Sequence, residues 1–220
     1  MRMALTTMID VKVVVVDYRQ PSSAVIGRAV DLLGVGALVV APTETQYGLL
    51  GRADRPEVVT RVYRVKGRPV EQPMAIFVDS LGMAAEYAEV NPPAQVLAAR
   101  FLPGPLTLVL NRQPDWISPL AASGRVGIRI SSAPVVRQIM ARTNFPLTAT
   151  SANCSGSPAL TTIDRIRSGL TGGVDMFLDG GVLDGLASTV VDCSSGSPRI
   201  LRPGAIGSDE IMAAWQERPA

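Results

Sequence analysis

Short β-branched runs, separated by helical spacing, constrain this chain most. "VKVVVVD" (11–17), "GALVVAP" (36–42), "PMAIFV" (73–78), "LTLVLN" (106–111), "RVGIRIS" (125–131) and "PLTATS" (146–151) are too short for helices and too apolar for loops. Each reads as a buried strand. Helical patterns lie between several of them. Ser22 and Ser23 can cap one helix through about Leu33, with Gly34 as its stop, and Asp54 with Pro56 opens another that carries Val58, Val59, Val62 and Val65. Residues 81–89, 93–101 and the "APVVRQIMAR" stretch are helical by pattern, and "TETQYGL" (43–49) reads as a polar loop leaving a strand end. "DMFLDGG", "STVVDC" and "RILRPG" then follow one another as strands, before Ser208 and Asp209 start a last helix. Strands that first interleave with helices and then run consecutively predict an α/β fold on an open, mixed sheet. No repeat, linker or low-complexity tract divides the chain, so a single domain over 1–220 is expected.

Composition narrows the chemistry. The 220 residues contain no histidine, which removes the commonest general base and the commonest metal ligand. Ser-His-Asp hydrolysis and histidine-ligated zinc are excluded; if the chain is an enzyme, it works by binding charge and positioning reactants. A net charge of +2 is too small for wholesale coating of nucleic acid, so any basic surface must be local. The two cysteines, Cys154 and Cys193, form no paired metal motif and read as free thiols of a reducing cytoplasm. No apolar run approaches membrane-spanning length and the N-terminus has no cleavable apolar leader, so a cytoplasmic protein without a membrane partner is expected.

Lysine is as scarce as cysteine, at two residues each. Of 21 basic residues, only Lys12 and Lys66 are lysine. Lys66 stands in "KGRP", in the last turn of a helix that Gly67 closes, one residue from Arg68. A compact ammonium beside a planar guanidinium suits a triphosphate. Other special-geometry residues gather in "PTETQYG", "RVGIRIS", "TSANCSGSPALTT" and "STVVD…RILRPG", all at strand or helix ends where α/β folds bind ligands. "RVGIRIS" places Arg125, Gly127 and Arg129 on one face of its strand. None of these segments is a Walker loop or a Gly-x-Gly-x-x-Gly fingerprint.

In order and spacing, "PTETQYGL", "KGRP", "PGPLTLVL", "VGIRIS", "TSANCSG" and "STVVD…ILRPGAI" resemble the successive motifs of the YrdC-type threonylcarbamoyl-AMP synthases, from about Leu38 to Ile206. The resemblance implies a twisted open α/β sheet with a concave basic face. It also implies an enzyme that joins L-threonine, bicarbonate or CO2, and ATP carrying magnesium. The products are L-threonylcarbamoyladenylate and pyrophosphate, and partner transferase proteins then move the threonylcarbamoyl group onto tRNA.

The same resemblance assigns roles. Lys66 and Arg68 become the catalytic phosphate ligands, joined on ATP by Gln72, Arg125, Asn153, Thr161 and Arg202. Thr45, Arg129, Ser151 and Ser188 become threonine ligands, with Arg129 on the carboxylate. The protein supplies no metal ligand of its own; magnesium is expected with the nucleotide. The chain departs from the pattern at Phe77, where several relatives carry histidine, at Gln46, where an aliphatic residue is usual, and at Gln72, where some have asparagine. It ends without the second domain of longer relatives and reads as the short form. Two other readings use the same fold: a non-catalytic protein binding tRNA or double-stranded RNA, and a carbamoyl-transfer domain of the kind found in hydrogenase maturation. Few aromatics for base stacking weigh against the first, and the absence of zinc-finger or acylphosphatase-like segments weighs against the second.

Overall fold

The computed structural model describes residues 12–170 and 172–217. Val11, the stretch before it and residues 218–220 lie outside the described residues, as does the reading of the N-terminus as leaderless. The described strands are β1 (Lys12–Val15), β2 (Val39–Pro42), β3 (Tyr47–Leu50), β4 (Ala75–Phe77), β5 (Leu106–Asn111), β6 (Arg125–Arg129), β7 (Leu147–Ser151), β8 (Met176–Asp179), β9 (Thr189–Asp192) and β10 (Arg199–Arg202). The helices are α1 (Ser23–Gly34), α2 (Pro56–Lys66), α3 (Leu81–Ala84), α4 (Pro92–Phe101), α5 (Pro134–Met140), α6 (Ile163–Gly169) and α7 (Ser208–Gln216).

All ten strands join one sheet in the order β1-β8-β2-β3-β7-β4-β6-β5-β9-β10. It is mixed, as expected. β8 runs parallel to β1 and β2, β4 to β6, and β5 to β9, while the β2–β3, β3–β7, β4–β7, β5–β6 and β9–β10 pairs are antiparallel. The sheet is open, with β1 and β10 at its edges. Central strands are apolar on both faces: every residue of β2 and β3 is buried. That is why these runs lack the alternation of a half-solvated strand. Helices cover the sheet, α1 packing on α5 and both on β2, with α4 against α7 and β5.

Four local expectations change. "TETQYGL" is not wholly loop: only 43–46 turn, and Tyr47–Leu50 pairs back on β2 with Pro42 opposite Tyr47. The Thr43 hydroxyl makes that turn, accepting from the Thr45 and Gln46 N–H groups (both 3.2 Å) and donating to the Gln46 carbonyl (2.6 Å). The helix expected over 81–89 regularises only over Leu81–Ala84, its Ser80 cap accepting from Met83 N–H. Asp54 does not cap α2. Arg55 holds that place, and Asp54 instead pairs with Arg52. Ser22 sits at the N-cap of α1 without a side-chain capping bond. Gly67, by contrast, closes α2 at φ 56°, ψ 35° in the left-handed region, as expected of glycine there.

Candidate functional site

A cleft of about 550 Å³ opens over the centre of the sheet, a volume ordinary for a small-molecule site. Its lining includes Thr45, Arg68, Arg125, Arg129, Ser151, Ser188 and Arg202, so seven of the expected site residues converge there from six chain segments. Four guanidinium groups line it and no carboxylate does. Such a wall favours an anion of several charges.

Small residues make the floor. Gly127 lies opposite Ala75 in the β4–β6 pair, and a Cβ there would come within 2.8 Å of the Ala75 Cβ and 3.1 Å of the Thr107 Cγ2. The gap separates Arg125 from Arg129 along one strand face by about 13 Å of backbone. Arg125 reaches back to Asp192 (3.2 Å), which also takes Arg199 (3.1 Å) and the Ser194 hydroxyl and N–H.

The Arg129 corner pairs a buried cation with a carboxylate. Arg129 is 8% exposed, and its Nη2 donates to Glu44 Oε1 (2.6 Å) and to Thr45 Oγ1 (2.7 Å). The Phe77 ring lies 5.2 Å from the guanidinium carbon, so the position expected to hold histidine in relatives here offers an aromatic face. Thr45 Oγ1 is also 3.0 Å from Thr43 Oγ1. The single Thr43 hydroxyl hydrogen goes to the Gln46 carbonyl, so Thr45 is the donor in that pair and keeps only acceptor capacity for a ligand.

The opposite side is built from the chain's last strands. Arg202 Nη2 donates to the Ser188 carbonyl (2.8 Å) and hydroxyl (3.2 Å), and the Ser188 and Thr107 hydroxyls are 2.9 Å apart. Gly204 makes this approach possible: a Cβ there would meet the Ala187 carbonyl oxygen at 2.4 Å. Burial, and then the neighbouring charge of Arg129, press the Arg202 guanidinium below its ordinary range. Arg68 is likewise lowered, chiefly by burial; its guanidinium folds over its own loop onto the Gln72 (3.2 Å) and Pro73 (2.9 Å) carbonyls.

Four expected site residues do not line the cleft: Lys66, Gln72, Asn153 and Thr161. Lys66 requires the largest correction. Its side chain is 2% exposed and its ammonium donates to the Asn153 carbonyl (2.7 Å) and the Ser151 carbonyl, behind the wall. In this structure it is therefore not a point charge standing free for phosphate. Burial, with Arg68 beside it, lowers its pKa to about 8. A signal was available, since Lys66 follows Val62 by four residues and Val59 by seven, on the buried stripe of α2. Asn153 accepts from the Ser151 hydroxyl and donates to the Ser157 carbonyl (2.6 Å), so its amide closes the loop rather than projecting from it. Gln72 is exposed and meets Tyr63 and Arg68 through its backbone carbonyl. Thr161 accepts at its carbonyl from Leu183 N–H (2.9 Å).

Tyr47 ties the substrate-side turn to the glycine-rich segment after β8. Its hydroxyl donates to the Gly181 carbonyl (2.7 Å) and accepts from Gly180 N–H (3.0 Å), and burial pushes its pKa up to about 12. Gln46 adds a bond to the Gly185 carbonyl (3.3 Å). Glu44, Thr43, Ser131 and Thr107 were not singled out from sequence. Glu44, Thr43 and Ser131 stand beside Thr45 and Arg129 in the sequence, and Thr107 stands in "PGPLTLVL"; that placement was the one signal. Both cysteines are free, Cys193 in the core and Cys154 partly exposed with its thiol against the Gly169 carbonyl (2.8 Å). Among the described residues, no cluster of three or more His, Cys, Asp or Glu could hold a metal ion, and no helix is long and apolar enough to cross a membrane.

Known proteins share both sequence and fold with this chain. The threonylcarbamoyl-AMP synthase of Bacillus subtilis is 34% identical over 203 residues, covering 90% of this chain and 59% of that protein. The putative threonylcarbamoyl-AMP synthase of Mycobacterium tuberculosis H37Rv is 33% identical over 198 residues, covering 89% of this chain and 90% of its own length. The crystal structure of P. abyssi Sua5 complexed with L-threonine superposes with a TM-score of 0.85 at 32% identity, covering 92% of this chain and 60% of that one. This chain thus spans little more than half of some relatives and nearly all of another. The Sua5_yciO_yrdC family model, described as "Telomere recombination", matches residues 31–204. That span runs from the last turn of α1 to just past β10 and takes in every strand that walls the cleft, so the chain belongs to the Sua5/YciO/YrdC family.

Proposed function

We propose that this protein is an L-threonylcarbamoyladenylate synthase, a nucleotidyltransferase serving threonylcarbamoyladenosine modification of tRNA. The observation that carries the reading is one cleft in which four guanidinium groups face hydroxyl-bearing residues with no intervening carboxylate. Relatives named as threonylcarbamoyl-AMP synthases support it, as does a threonine-bound relative of the same fold.

The chemistry needs no histidine. Threonine's amine and CO2 give a carbamate, and a carbamate oxygen attacks the α-phosphorus of ATP. The bond to the β-phosphate bridging oxygen breaks, and pyrophosphate leaves with the electron pair. In such transfers the protein chiefly positions groups and neutralises developing charge. Arg129 takes the threonine carboxylate, with Ser188 and Ser151 at the edges of the same subsite. Thr45, left with acceptor capacity only, suits the amino group. Arg68, Arg125 and Arg202 take the nucleotide phosphates. Magnesium enters as part of the nucleotide, since the cleft lining offers it no carboxylate. Lys66, Asn153 and Thr161 act one step back, shaping the loop that carries Ser151.

The test is direct. Purified protein with ATP, magnesium, labelled bicarbonate and L-threonine releases pyrophosphate and yields a labelled adenylate, and omitting threonine abolishes both. Tight tRNA binding with no threonine-dependent ATP consumption would replace this reading with that of an RNA-binding module.

A further inference from the structure

Among the described residues, two carboxylates pair with cleft arginines without lining the cleft: Asp192 with Arg125 at the rim and, with Arg129, Glu44. Its side chain, like that of Arg129, is only 10% exposed. We propose that Glu44 is the positioning residue of the amino-acid subsite. Together with Ser131 it fixes the plane of the Arg129 guanidinium, so that the substrate carboxylate meets a preset fork. The inference rests on Arg129 being the carboxylate partner.

Three observations support it. Both N–H bonds of Arg129 Nη2 end on the 43–46 turn, one on Glu44 Oε1 and one on Thr45 Oγ1, and Phe77 lies against the cation. The guanidinium therefore cannot rotate about its stem without breaking two charge-assisted bonds. Glu44 is itself anchored. Its second oxygen accepts from the Ser131 hydroxyl, whose oxygen accepts from Ala133 N–H (3.2 Å), at the start of α5. Turn, strand β6 and helix α5 thus hold one carboxylate in place.

The third observation is what Glu44 leaves unused. A carboxylate free to choose takes an arginine bidentately, through two nitrogens of the fork. Here Ser131 draws Oε2 away, Glu44 engages Nη2 alone, and Arg129 Nε is buried with no partner among the described residues. A buried unpaired donor is costly and calls for an explanation. The arrangement orients the guanidinium while withholding most of its fork from the protein's own anion. The Glu44 charge also offsets the repulsion between Arg129 and Arg202.

The experiment compares wild type, Glu44→Ala, Glu44→Gln and Ser131→Ala in pyrophosphate release, varying threonine and ATP separately. Glu44→Ala is expected to raise KM for threonine about tenfold or more, the scale of misorienting a binding group, with KM for ATP within about twofold of wild type. Glu44→Gln retains an oxygen for Nη2 and recovers part of that loss. Ser131→Ala, which frees Oε2 and leaves Glu44 Oε1 on Arg129, gives a smaller rise of the same kind and serves if Glu44→Ala does not fold. A fall in KM for threonine would overturn the proposal by making Glu44 a competitor for the substrate's place. An equal rise in both KM values, or no change, would overturn it by making Glu44 structural or idle. Wild-type protein that never makes an adenylate from threonine would instead overturn the proposed function itself, and this inference with it.

Discussion

Two buried cations, Arg129 at the end of β6 and Lys66 in the last turn of α2, are held differently. Arg129 is 8% exposed and meets a carboxylate; Lys66 is 2% exposed and meets two backbone carbonyls. The paired cation lines the cleft. The other is desolvated without a counter-ion among the described residues, and its pKa falls to about 8. The contrast also explains the choice of residue. A planar fork matches the Glu44–Thr45 edge, whereas a compact tetrahedral head bridges the Ser151 and Asn153 carbonyls from within a packed helix face. Lysine at 66 is retained for shape more than for charge.

The largest expected effect comes from breaking the paired corner. Arg129→Met leaves Glu44 buried without its cation and should destabilise the fold by about 3–5 kcal/mol in urea unfolding. Threonine binding should weaken by about 2–4 kcal/mol by calorimetry, with ATP binding largely intact. Adding Glu44→Leu should restore most of the stability and none of the threonine affinity. If the double variant stays as unstable as the single, the pair is not the unit of stability described here.

Lys66 gives the next effect, through pH. Its folded pKa of about 8 lies below the 10.5 of the free side chain, so between these values the unfolded chain binds more protons. Stability from this group is absent below pH 8, rises as the pH climbs, and is complete above 10.5, where both states are neutral. The gain amounts to about 3 kcal/mol at most. A neutral amine still has two N–H bonds for its two carbonyls, so the seat survives deprotonation. The buried Cys193 thiol and Tyr47 hydroxyl, both raised to about 12, lose stability over the same range, so the Lys66 step is read as the difference between the unfolding curves of wild type and Lys66→Met. Lys66→Arg should cost about 1–3 kcal/mol by overfilling the same seat.

The two corners were unequally legible in the sequence. Strand runs such as "GALVVAP" announced themselves because burial on both faces demands unbroken apolar residues. The Gly67 cap was legible for an equally local reason. β3 was not, because its four residues follow directly on a polar turn and their apolar stretch is too short to display a period. At the site, Arg129 and Thr45 could be named from motif order, but Glu44's role depends on partners 85 and 87 residues away. No spacing rule reaches that far. The expectation for Lys66 came from its chemical type and the resemblance, and the structure adds its place on the buried α2 stripe. Local physics was readable, and pairing across the sheet was not.

The smallest expected effect sharpens the comparison most, because it asks whether the Lys66 corner hides a counter-ion. Cys154 is the candidate, as the one group that pulls the Lys66 pKa upward against burial and Arg68. Its thiol donates to the Gly169 carbonyl at 2.8 Å and the residue is only partly buried. A serine hydroxyl can make the same bond, so Cys154→Ser should change stability by less than about 0.5 kcal/mol. Activity should persist, since with no histidine in the chain there is no imidazole base to activate a thiol nucleophile. The decisive readout is the pH step of the preceding experiment, repeated in the Cys154→Ser background. If the carbonyl seat and burial set the Lys66 ionisation, the step keeps its size and moves slightly to lower pH. If the step grows by a full unit of pKa, the thiol is a working partner of the lysine, and the two corners of this cleft are built on the same plan after all.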